Sequence, residues 1–368
     1  MDNRKKILLV SSAFYPELSP RSFRATELAK EFFRQGHDVT VISKFRDHDY
    51  SAFLNEFTVT FKMWDKPTFP VFPDFRQKYL AFLFNGISRV LSVLFEYPAI
   101  EQMFHVRKIL KFENGYDLII SFAVPYPVHW GVAWARSYKH RIAETWIADC
   151  GDPYMGATLD TFRKPFYFGY LERKFCRKAD YISIPVESAR PGYYSEFQYK
   201  IRIIPQGFAF SLSSDEKLYH TNTIPEFAYT GSFIKGFRDP EMFIKCLLTI
   251  KRPFKFHVFT NHPHHLINYQ KALGDKLIIS GYIPREELMK KLPEMDFLIN
   301  FDNNTNLAIP SKLIDYAISG RPVLNVDKKF ICYKLLMFLD GDYNNRMLLP
   351  DPSQYHIKNV SKLFLDLI

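Results

Sequence analysis

Cysteine is scarce in this chain, and its spacing fits neither of its common structural uses. The 368 residues contain four cysteines, which are far apart and form no CxxC pair: Cys150, Cys176, Cys246 and Cys332. This spacing predicts neither a disulfide framework nor a zinc site. We therefore expect reduced thiols, as in a cytoplasmic protein.

Long apolar runs, targeting segments and repeats are also missing. No window holds 18 uncharged apolar residues, so we expect no membrane-spanning helix. The first apolar run covers only residues 7–10, which is too short for a signal peptide and instead predicts a first strand. With no internal repeat or low-complexity segment, the sequence is typical of ordinary globular domains.

A dinucleotide fingerprint is the next absence. A buried strand at 5–12, an amphipathic helix at 23–35 and a strand at 38–43 predict a βαβ unit, and hence a parallel sheet. The first loop lacks GxGxxG, which argues against a nicotinamide-dependent oxidoreductase. It carries Arg21 and Arg24 at the helix opening instead. Two arginines there can grip a phosphate, although the same pattern also fits a solvated surface.

What the chain does have is core-forming residues and positive charge. It is 47% hydrophobic and 24% charged, with 49 Lys and Arg against 39 Asp and Glu. Its length predicts about two domains. The net charge of +10 favours anionic partners such as phosphates or acidic lipids. We expect no nucleic-acid partner, because no basic-aromatic motif accompanies the charge.

Residues 79–100 form an unusual helical pattern. Its polar residues fall on one narrow stripe, and the rest of its surface is apolar. Such a helix is either buried or lies on a membrane, and burial is the commoner outcome. Basic residues nearby keep an anionic membrane surface open as a partner.

The order of strands and helices divides the chain into two α/β halves. We predict Rossmann-like parallel-sheet domains at 1–208 and 209–350, joined by a polar linker. A final helix at 351–368 is expected to pack back on the first domain. A cleft between the carboxyl ends of two such sheets is a natural ligand site.

Loops that follow predicted strands carry candidate site residues. Asp149 and Asp152 follow a strand at 144–148, where α/β enzymes place active sites, although both also fit capping roles. The loop at Gly231 and Ser232 follows the first strand of the second half. Glycine there lets a phosphate approach the backbone closely. Lys235 and Arg238 lie just beyond it.

Residues 307–327 read as a loop, a helix and a buried strand. Pro310 suits the first helical turn, Ser311 is a capping residue, and Gly320 ends the helix. A helix N-terminus at the end of a strand favours anions. Lys312 adds a charge there and Asp315 lies one turn further on, so together they can hold a diphosphate and a ribose hydroxyl. An ordinary surface helix fits the same pattern.

Six segments, in order along nearly the whole chain, resemble the family-4-like retaining group of GT-B glycosyltransferases. They are KILLVSSAFYPELSPRSFRATELAKEFFRQGHDVTVIS, WIADCGDPY, the pair ADYISIPVES and IRIIPQGF, FAYTGSFIKGFRDPEMF, IISGYIPREELMKKLPEMDFLIN and IPSKLIDYAISGRPVL. The resemblance implies the GT-B fold, in which two Rossmann-like domains face each other across a cleft.

The resemblance also implies roles for individual residues. Asp149, Asp152, Lys235 and Arg238 would serve catalysis, the two aspartates facing the acceptor and the two cations holding the donor diphosphate. Arg21 and Arg24 would lie near the acceptor and phosphates. The remaining donor-binding residues would be Gly231, Ser232, Tyr282, Ile283, Pro310, Ser311, Lys312 and Asp315, with Tyr282 and Ile283 beside the base and Asp315 on the ribose.

The implied activity is transfer from a nucleotide sugar, with UDP favoured, to a glycan or lipid-linked acceptor. Bacterial capsule, O-antigen or exopolysaccharide assembly is the implied setting, with retention of configuration and no metal or other cofactor. One departure concerns two glutamates that the family often has, seven residues apart. Asp315 stands for the second and Leu307 for the first. This leaves a non-catalytic nucleotide-sugar- or glycan-binding protein as the alternative.

Overall fold

The structure is a computed structural model that describes residues 4–70, 78–157, 163–210, 221–234, 238–281, 283–302 and 311–368. The chain divides into two compact units. Unit 1 comprises Met1–Ala209 and Gln354–Ile368, and unit 2 comprises Phe210–Ser353. Each is built on a parallel sheet, so the prediction of two parallel-sheet α/β halves is confirmed.

Unit 1 contains a seven-stranded sheet in the order β3-β2-β1-β4-β5-β6-β7, with every pair parallel. Its central strands are apolar on both faces because helices cover both sides, as parallel sheets require. The strands are β1 Lys6–Ser11, β2 Asp38–Ser43, β3 Thr60–Met63, β4 Tyr116–Phe122, β5 Ala143–Asp149, β6 Tyr181–Ile184 and β7 Ile201–Ile203.

The first helix of unit 1 begins earlier than the sequence pattern predicts. Ser19 caps it by accepting a hydrogen bond from the Ser22 amide, and Pro20 occupies the first helical position. Arg21 and Arg24 therefore lie in its first turns, beside the carboxyl end of β1. The helices here are α1 Pro20–Arg34, α2 Ser51–Glu56, α3 Lys78–Phe95, α4 Glu101–Leu110, α5 Pro127–Ala135 and α6 Phe168–Lys178.

Unit 2 contains a five-stranded parallel sheet in the order β10-β9-β8-β11-β12. Stacked aromatic rings fill its core, with Phe227 at 4.6 Å from Phe297 and 5.0 Å from Phe256. Its elements are β8 Glu226–Thr230, α7 Glu241–Thr249, β9 Lys255–Phe259, α8 His264–Leu273, β10 Leu277–Ser280, α9 Arg285–Lys291, β11 Phe297–Phe301, α10 Ser311–Ser319, β12 Val323–Val326 and α11 Cys332–Leu339.

The last helix, α12 (Ile357–Leu365), belongs to unit 1. It packs on α1, where the Gln35 side-chain amide donates to the Ser361 hydroxyl at 2.7 Å. The Phe208 amide donates to the Tyr355 carbonyl, and the Ile357 amide donates back to Phe208. The chain thus returns to unit 1 after completing unit 2.

The expectation of four reduced cysteines is wrong for one pair. Cys246 in α7 and Cys332 at the start of α11 form a disulfide with Cα atoms 5.6 Å apart. They lie 86 residues apart, so only the packing of α7 and α11 brings them together. Cys150 and Cys176 are free and buried, and burial raises the pKa of both thiols.

Burial of the 79–100 helix is also wrong. The helix ends at Phe95, before Glu96 at a φ of 53° and Pro98. Phe82 is 83% exposed and Phe95 55% exposed. Within the part of the chain that the structure describes, no helix is long and apolar enough to cross a membrane.

Two smaller expectations fail as well. Residues 53–75 are not wholly irregular, since α2 and the edge strand β3 begin in or near them. Residues 188–197 are not one helix but parts of two short 3-10 helices, because Pro191 and Gly192 interrupt the pattern.

Candidate functional site

Tyr316 fixes α10 to the carboxyl ends of two strands in unit 2. Its buried hydroxyl accepts the Thr230 amide at 3.0 Å and donates to the Ile299 carbonyl at 3.1 Å. The Thr230 hydroxyl is also 3.2 Å away. One side chain thereby ties the first turns of α10 to β8 and β11, at the edge where α/β folds bind ligands.

The loop after β8 turns sharply at Gly231. Its φ of 126° is strained for any residue with a side chain. The Gly231 amide donates to the Phe259 carbonyl at 3.0 Å, so within the protein it is already bonded. The Ser232 carbonyl accepts the Tyr229 hydroxyl at 3.0 Å. The loop is therefore a fixed turn, and its Gly231 amide is not free for a phosphate.

Lys312 provides a buried cation beside this turn. Its Nζ lies 4.7 Å from the centre of the Tyr229 ring and has no hydrogen-bond partner among the described residues. Burial lowers the pKa of Lys312 to about 7, and repulsion from Arg238 adds to the effect while Asp302 opposes it. An ammonium held this way lacks a counter-charge close at hand.

Arg238 is the second cation at this place. Its Nε is buried and, as for Lys312, no partner for it is found in the described parts of the chain. Its carbonyl accepts the Ile234 amide at 3.1 Å, which holds the ends of the loop together. Burial raises the pKa of Tyr229 to about 12, although the nearby Arg238 guanidinium works against that rise. The structure thus brings Lys312 and Arg238 together, as an anion site requires.

Asp315 lies one turn further along α10 and is engaged by Arg285. The Arg285 Nε and Nη2 both donate to the same oxygen, Oδ1, at 2.9 and 2.6 Å. Burial raises the pKa of Asp315, and Arg285 opposes the rise. Ile283 is half-buried in the cluster that includes Leu313 and Tyr316. These placements put Arg285, which the sequence pattern did not single out, beside the expected ribose position.

Several expected donor-site residues lie outside the described residues. They are Lys235, Tyr282 and Pro310, together with Leu307, the position of the missing carboxylate. Ser311 begins α10, but its side chain is not described.

In unit 1, Asp149 is held by a buried network at the end of β5. Arg24 donates to both carboxylate oxygens at 2.6 and 2.7 Å, and the Ser183 hydroxyl donates at 2.6 Å. Burial alone would raise the pKa of Asp149, but Arg24, Arg21 and Ser183 outweigh it and keep the pKa below its ordinary value. Arg24 is 3% exposed and also donates to the Pro205 and Ile204 carbonyls. Asp149 and Arg24 thus position one another.

Arg21 is the more accessible arginine. Its Nη1 lies 3.5 Å from Asp149 and its side chain is 22% exposed. The guanidinium passes directly over Gly151, where an added Cβ would stand 1.8 Å from Nη2. Gly151 is therefore required by the close approach of Arg21. Asp149 and Gly151 together aim this cation along the 149–157 loop.

Asp152 differs from Asp149 in being exposed. Its carbonyl accepts the Tyr126 hydroxyl, which anchors the loop, while its carboxylate faces solvent. The two aspartates that looked alike in sequence thus have different surroundings, and Asp152 is the one open to a ligand.

Four residues that shape these sites were not identified from sequence: Tyr229, Tyr316, Arg285 and Ser183. Tyr316 carried the clearest signal, since it lies among the apolar residues of α10 but has a hydroxyl that burial must satisfy. Among the described residues, no group of three or more His, Cys, Asp or Glu side chains could hold a metal ion.

Comparison with known proteins gives matches by structure only. No protein-family model matches the sequence, and no curated protein matches it either. The lipopolysaccharide outer core galactosyltransferase WaaB, in its apo form, has 11% identity and a TM-score of 0.57, with 98% of each chain covered.

Two other solved structures are similar. S. aureus TarM, in complex with fondaparinux, alpha-GlcNAc-glycerol and UDP, has 11% identity and a TM-score of 0.58 over 99% of both chains. Anabaena Alr3699/HepE, in complex with UDP and glucose, has 11% identity and a TM-score of 0.50, with 99% of this chain and 95% of that chain covered. The chain has the GT-B fold of these glycosyltransferases, as its sequence resemblance implied.

Proposed function

We propose that this protein is a glycosyltransferase that moves a sugar from a UDP-sugar to a glycan or lipid-linked acceptor. The pathway we propose is bacterial surface-polysaccharide assembly: capsule, O-antigen or exopolysaccharide. The observation that supports it most is the pair of buried cations, Lys312 and Arg238, without partners among the described residues. Such a pair is costly in a folded protein unless an anion joins it.

The chemistry asks for charge at the leaving group. When the bond from the sugar to the diphosphate breaks, negative charge develops on the departing diphosphate. Lys312, Arg238 and the N-terminus of α10 are placed to stabilise that charge. In this proposal the two side chains supply the charge, so no metal is required. Retention of the anomeric configuration and membership of the family-4-like group rest on the sequence resemblance.

The nucleotide and the pathway draw support from the similar structures. TarM and HepE were each solved with UDP, and WaaB is a lipopolysaccharide outer core galactosyltransferase. Asp315 and Arg285 would meet the ribose, with Asp315 keeping Oδ2 clear of its bonds to Arg285. Ile283 would lie beside the base. A UDP-sugar fits this order of cations, carboxylate and apolar surface along unit 2.

Unit 1 would hold the acceptor. Arg21 and the exposed Asp152 are its accessible charged groups at the 149–157 loop, and Asp149 with Arg24 fixes the loop from beneath. A hydroxyl of a glycan can bond to both a cation and a carboxylate there. The proposal places the protein in the cytoplasm, on the inner side of the membrane when the acceptor is lipid-linked.

A thermal-shift screen against UDP-, GDP- and ADP-sugars, followed by assays of donor hydrolysis and transfer, tests the donor. We expect stabilisation by UDP-sugars, and a loss of turnover of about 10²–10³-fold in Lys312→Ala and in Arg238→Ala, as for removal of other groups that stabilise developing charge. Lys271→Ala is the matched control, because Lys271 is an exposed lysine of unit 2. Wild-type turnover in both variants would refute the assignment.

A non-catalytic nucleotide-sugar- or glycan-binding protein is the second candidate. Leu307, at the position of a carboxylate in the similar family, favours it. Asp302, whose charge acts on Lys312, is the nearest replacement in the chain. Binding of UDP without hydrolysis of any donor and without transfer would support this candidate. Donor hydrolysis that Asp302→Asn abolishes would exclude it.

A further inference from the structure

Helix α3 presents an apolar stripe to solvent. Ile87, Val90 and Leu94 are spaced i, i+3 and i+7, so they share one face, and all three are exposed. Leu91 and Phe84 are the more buried side chains. From residue 82 to residue 95 the only charged side chain is Arg89. A stripe of this size without a covering partner marks an interaction surface.

The stripe continues onto the segment before α6. The Tyr167 hydroxyl donates to the Leu94 carbonyl, and Lys164 pairs with Glu96 just after α3. Beside these contacts, Phe166 is 78% exposed and Tyr170 is 69% exposed. We call α3 residues 82–95 together with Phe166 and Tyr170 the α3 surface.

Helices α4, α5 and α6 meet at Trp134, which mixes aromatic and basic groups. The Arg107 guanidinium lies 4.0 Å from the Trp134 ring centre, and the Lys174 ammonium lies 5.8 Å from it. Phe104 packs edge-on at 5.7 Å. Trp134 and Phe104 both remain partly open to solvent. Aromatic rings with an apolar body and a polar tip, set among cations, suit the interface of a membrane.

The charges of residues 82–112 and 163–178 are sorted by exposure. Glu96 is half-buried, and Glu101 and Glu172 are buried. The exposed charges are all basic: Arg89, Lys108, Lys111, Arg163, Lys174 and Arg177. Lys108 pairs with Asp65 of a neighbouring segment. The surface around α3 therefore offers positive charge to an anionic partner.

We propose that the α3 surface docks on an anionic lipid bilayer. Ile87, Val90, Leu94 and Phe166 enter the boundary between headgroups and acyl chains, and the basic groups of α4 and α6 meet the headgroups. A second copy of this chain fits less well. A two-fold contact would set the same basic residues against each other, and like charges repel.

The docked surface adjoins the proposed acceptor loop. The Tyr154 hydroxyl donates to Glu96 at 2.8 Å, so the 149–157 loop is tied to the end of α3. If the proposed function holds, a lipid-linked acceptor reaches Asp152 from the bilayer on which α3 lies. This last step rests on the proposed function, whereas docking itself does not.

Flotation of the full chain tests the docking. At low salt we expect wild-type protein to float with vesicles of equal parts phosphatidylglycerol and phosphatidylcholine, and at least tenfold less with phosphatidylcholine alone. Val90→Asp with Leu94→Asp should reduce the floating fraction at least tenfold. Ile267→Asp on α8, where Ile267 is also exposed, should float like wild type.

Further measurements keep folding and self-association apart from docking. Val90→Trp should be quenched by vesicles of brominated phosphatidylglycerol, and it needs no charge in α3. UDP binding by the double aspartate variant should match wild type, which separates this test from the proposed function. Failure of wild type to float, absence of quenching, or a wild-type dimer that the aspartates dissociate would each overturn the proposal.

Discussion

The Lys312 ammonium lies 4.7 Å above the centre of the Tyr229 ring, and the ring is held in place by the hydrogen bond from its hydroxyl to the Ser232 carbonyl. The negative face of the ring is the ammonium's favourable contact among the described residues. This contact keeps the cation at the end of β8 without neutralising it. Lys312 is therefore prepared for an anion rather than satisfied by the protein.

Nucleotide binding should take up a proton at Lys312. With its pKa lowered to about 7, Lys312 is about 90% neutral at pH 8 in the free protein. A bound diphosphate favours the charged form and raises the pKa, so binding of UDP at pH 8 should consume close to one proton. UDP itself contributes little, because the second pKa of a phosphate is about 6. Calorimetry in buffers of different ionisation enthalpy measures the uptake.

The sign of the pH dependence follows from the same linkage. UDP affinity should be steady below the pKa of the free protein and fall about tenfold per pH unit above it, until the pKa of the complex is reached. Lys312→Arg is the control, because arginine stays charged and should bind without proton uptake. Equal uptake by wild type and Lys312→Arg would contradict the assignment.

Tyr316→Phe should loosen the donor site while keeping the fold. The change removes the hydroxyl that serves the Thr230 amide and the Ile299 carbonyl, and leaves both buried groups short of a partner. We expect a loss of about 1–3 kcal/mol in the stability of unit 2, measured by urea unfolding. UDP affinity should also fall, because α10 loses its bond to β8. Tyr333→Phe on α11 is the control, since Tyr333 is exposed.

The sheets and most helices could be predicted because their signals are local. Apolar runs bounded by turn residues predicted β1, β2, β4, β5 and β11 to within about two residues. Gly36 and Gly320 ended α1 and α10 near where the structure ends them, each with positive φ. What the sequence pattern missed is the edge strand β3, whose side chains are only half covered.

The site was less predictable because its properties depend on contacts between distant segments. Asp149 and Asp152 look equivalent in sequence, yet Arg24, 125 residues away, buries only the first. Lys312 appeared as an added charge, and its lowered pKa arises from burial and from Arg238 on another loop. The apolar girth of α3 indicated two outcomes, and only the absence of covering side chains at Val90 and Leu94 distinguishes them.

Gly151→Ala should disable Arg21 without unfolding unit 1. The new methyl group would overlap the end of the Arg21 side chain, which is flexible and can move away. We expect a raised KM for the acceptor and little change in thermal stability, since no backbone atom is in the way. Steady-state kinetics at saturating donor measure the effect.

Arg21→Ala provides the comparison for that variant. If Gly151 acts only by making room for Arg21, the double variant should be no worse than Arg21→Ala alone, because both changes remove one interaction. Independent losses in the two single variants, adding in the double variant, would show that Gly151 has a different role.

Arg24→Met should destabilise unit 1 strongly, and by an amount that depends on pH. It leaves the Asp149 carboxylate buried without its main counter-charge, which costs about 3–5 kcal/mol near pH 7. In wild type the pKa of Asp149 is lowered, so the pair stabilises the fold above the unfolded pKa of about 3.9, and this contribution is lost as the pH falls through the lower folded pKa. In Arg24→Met, burial without the guanidinium raises the pKa of Asp149, so the carboxyl takes up a proton at a higher pH. The difference in unfolding free energy should therefore shrink as the pH is lowered from 7 towards 4, as urea unfolding followed by tryptophan fluorescence can measure. Adding Asp149→Asn should recover part of the loss at pH 7, because it removes the unpaired charge; a double variant less stable than Arg24→Met would contradict the ion-pair explanation.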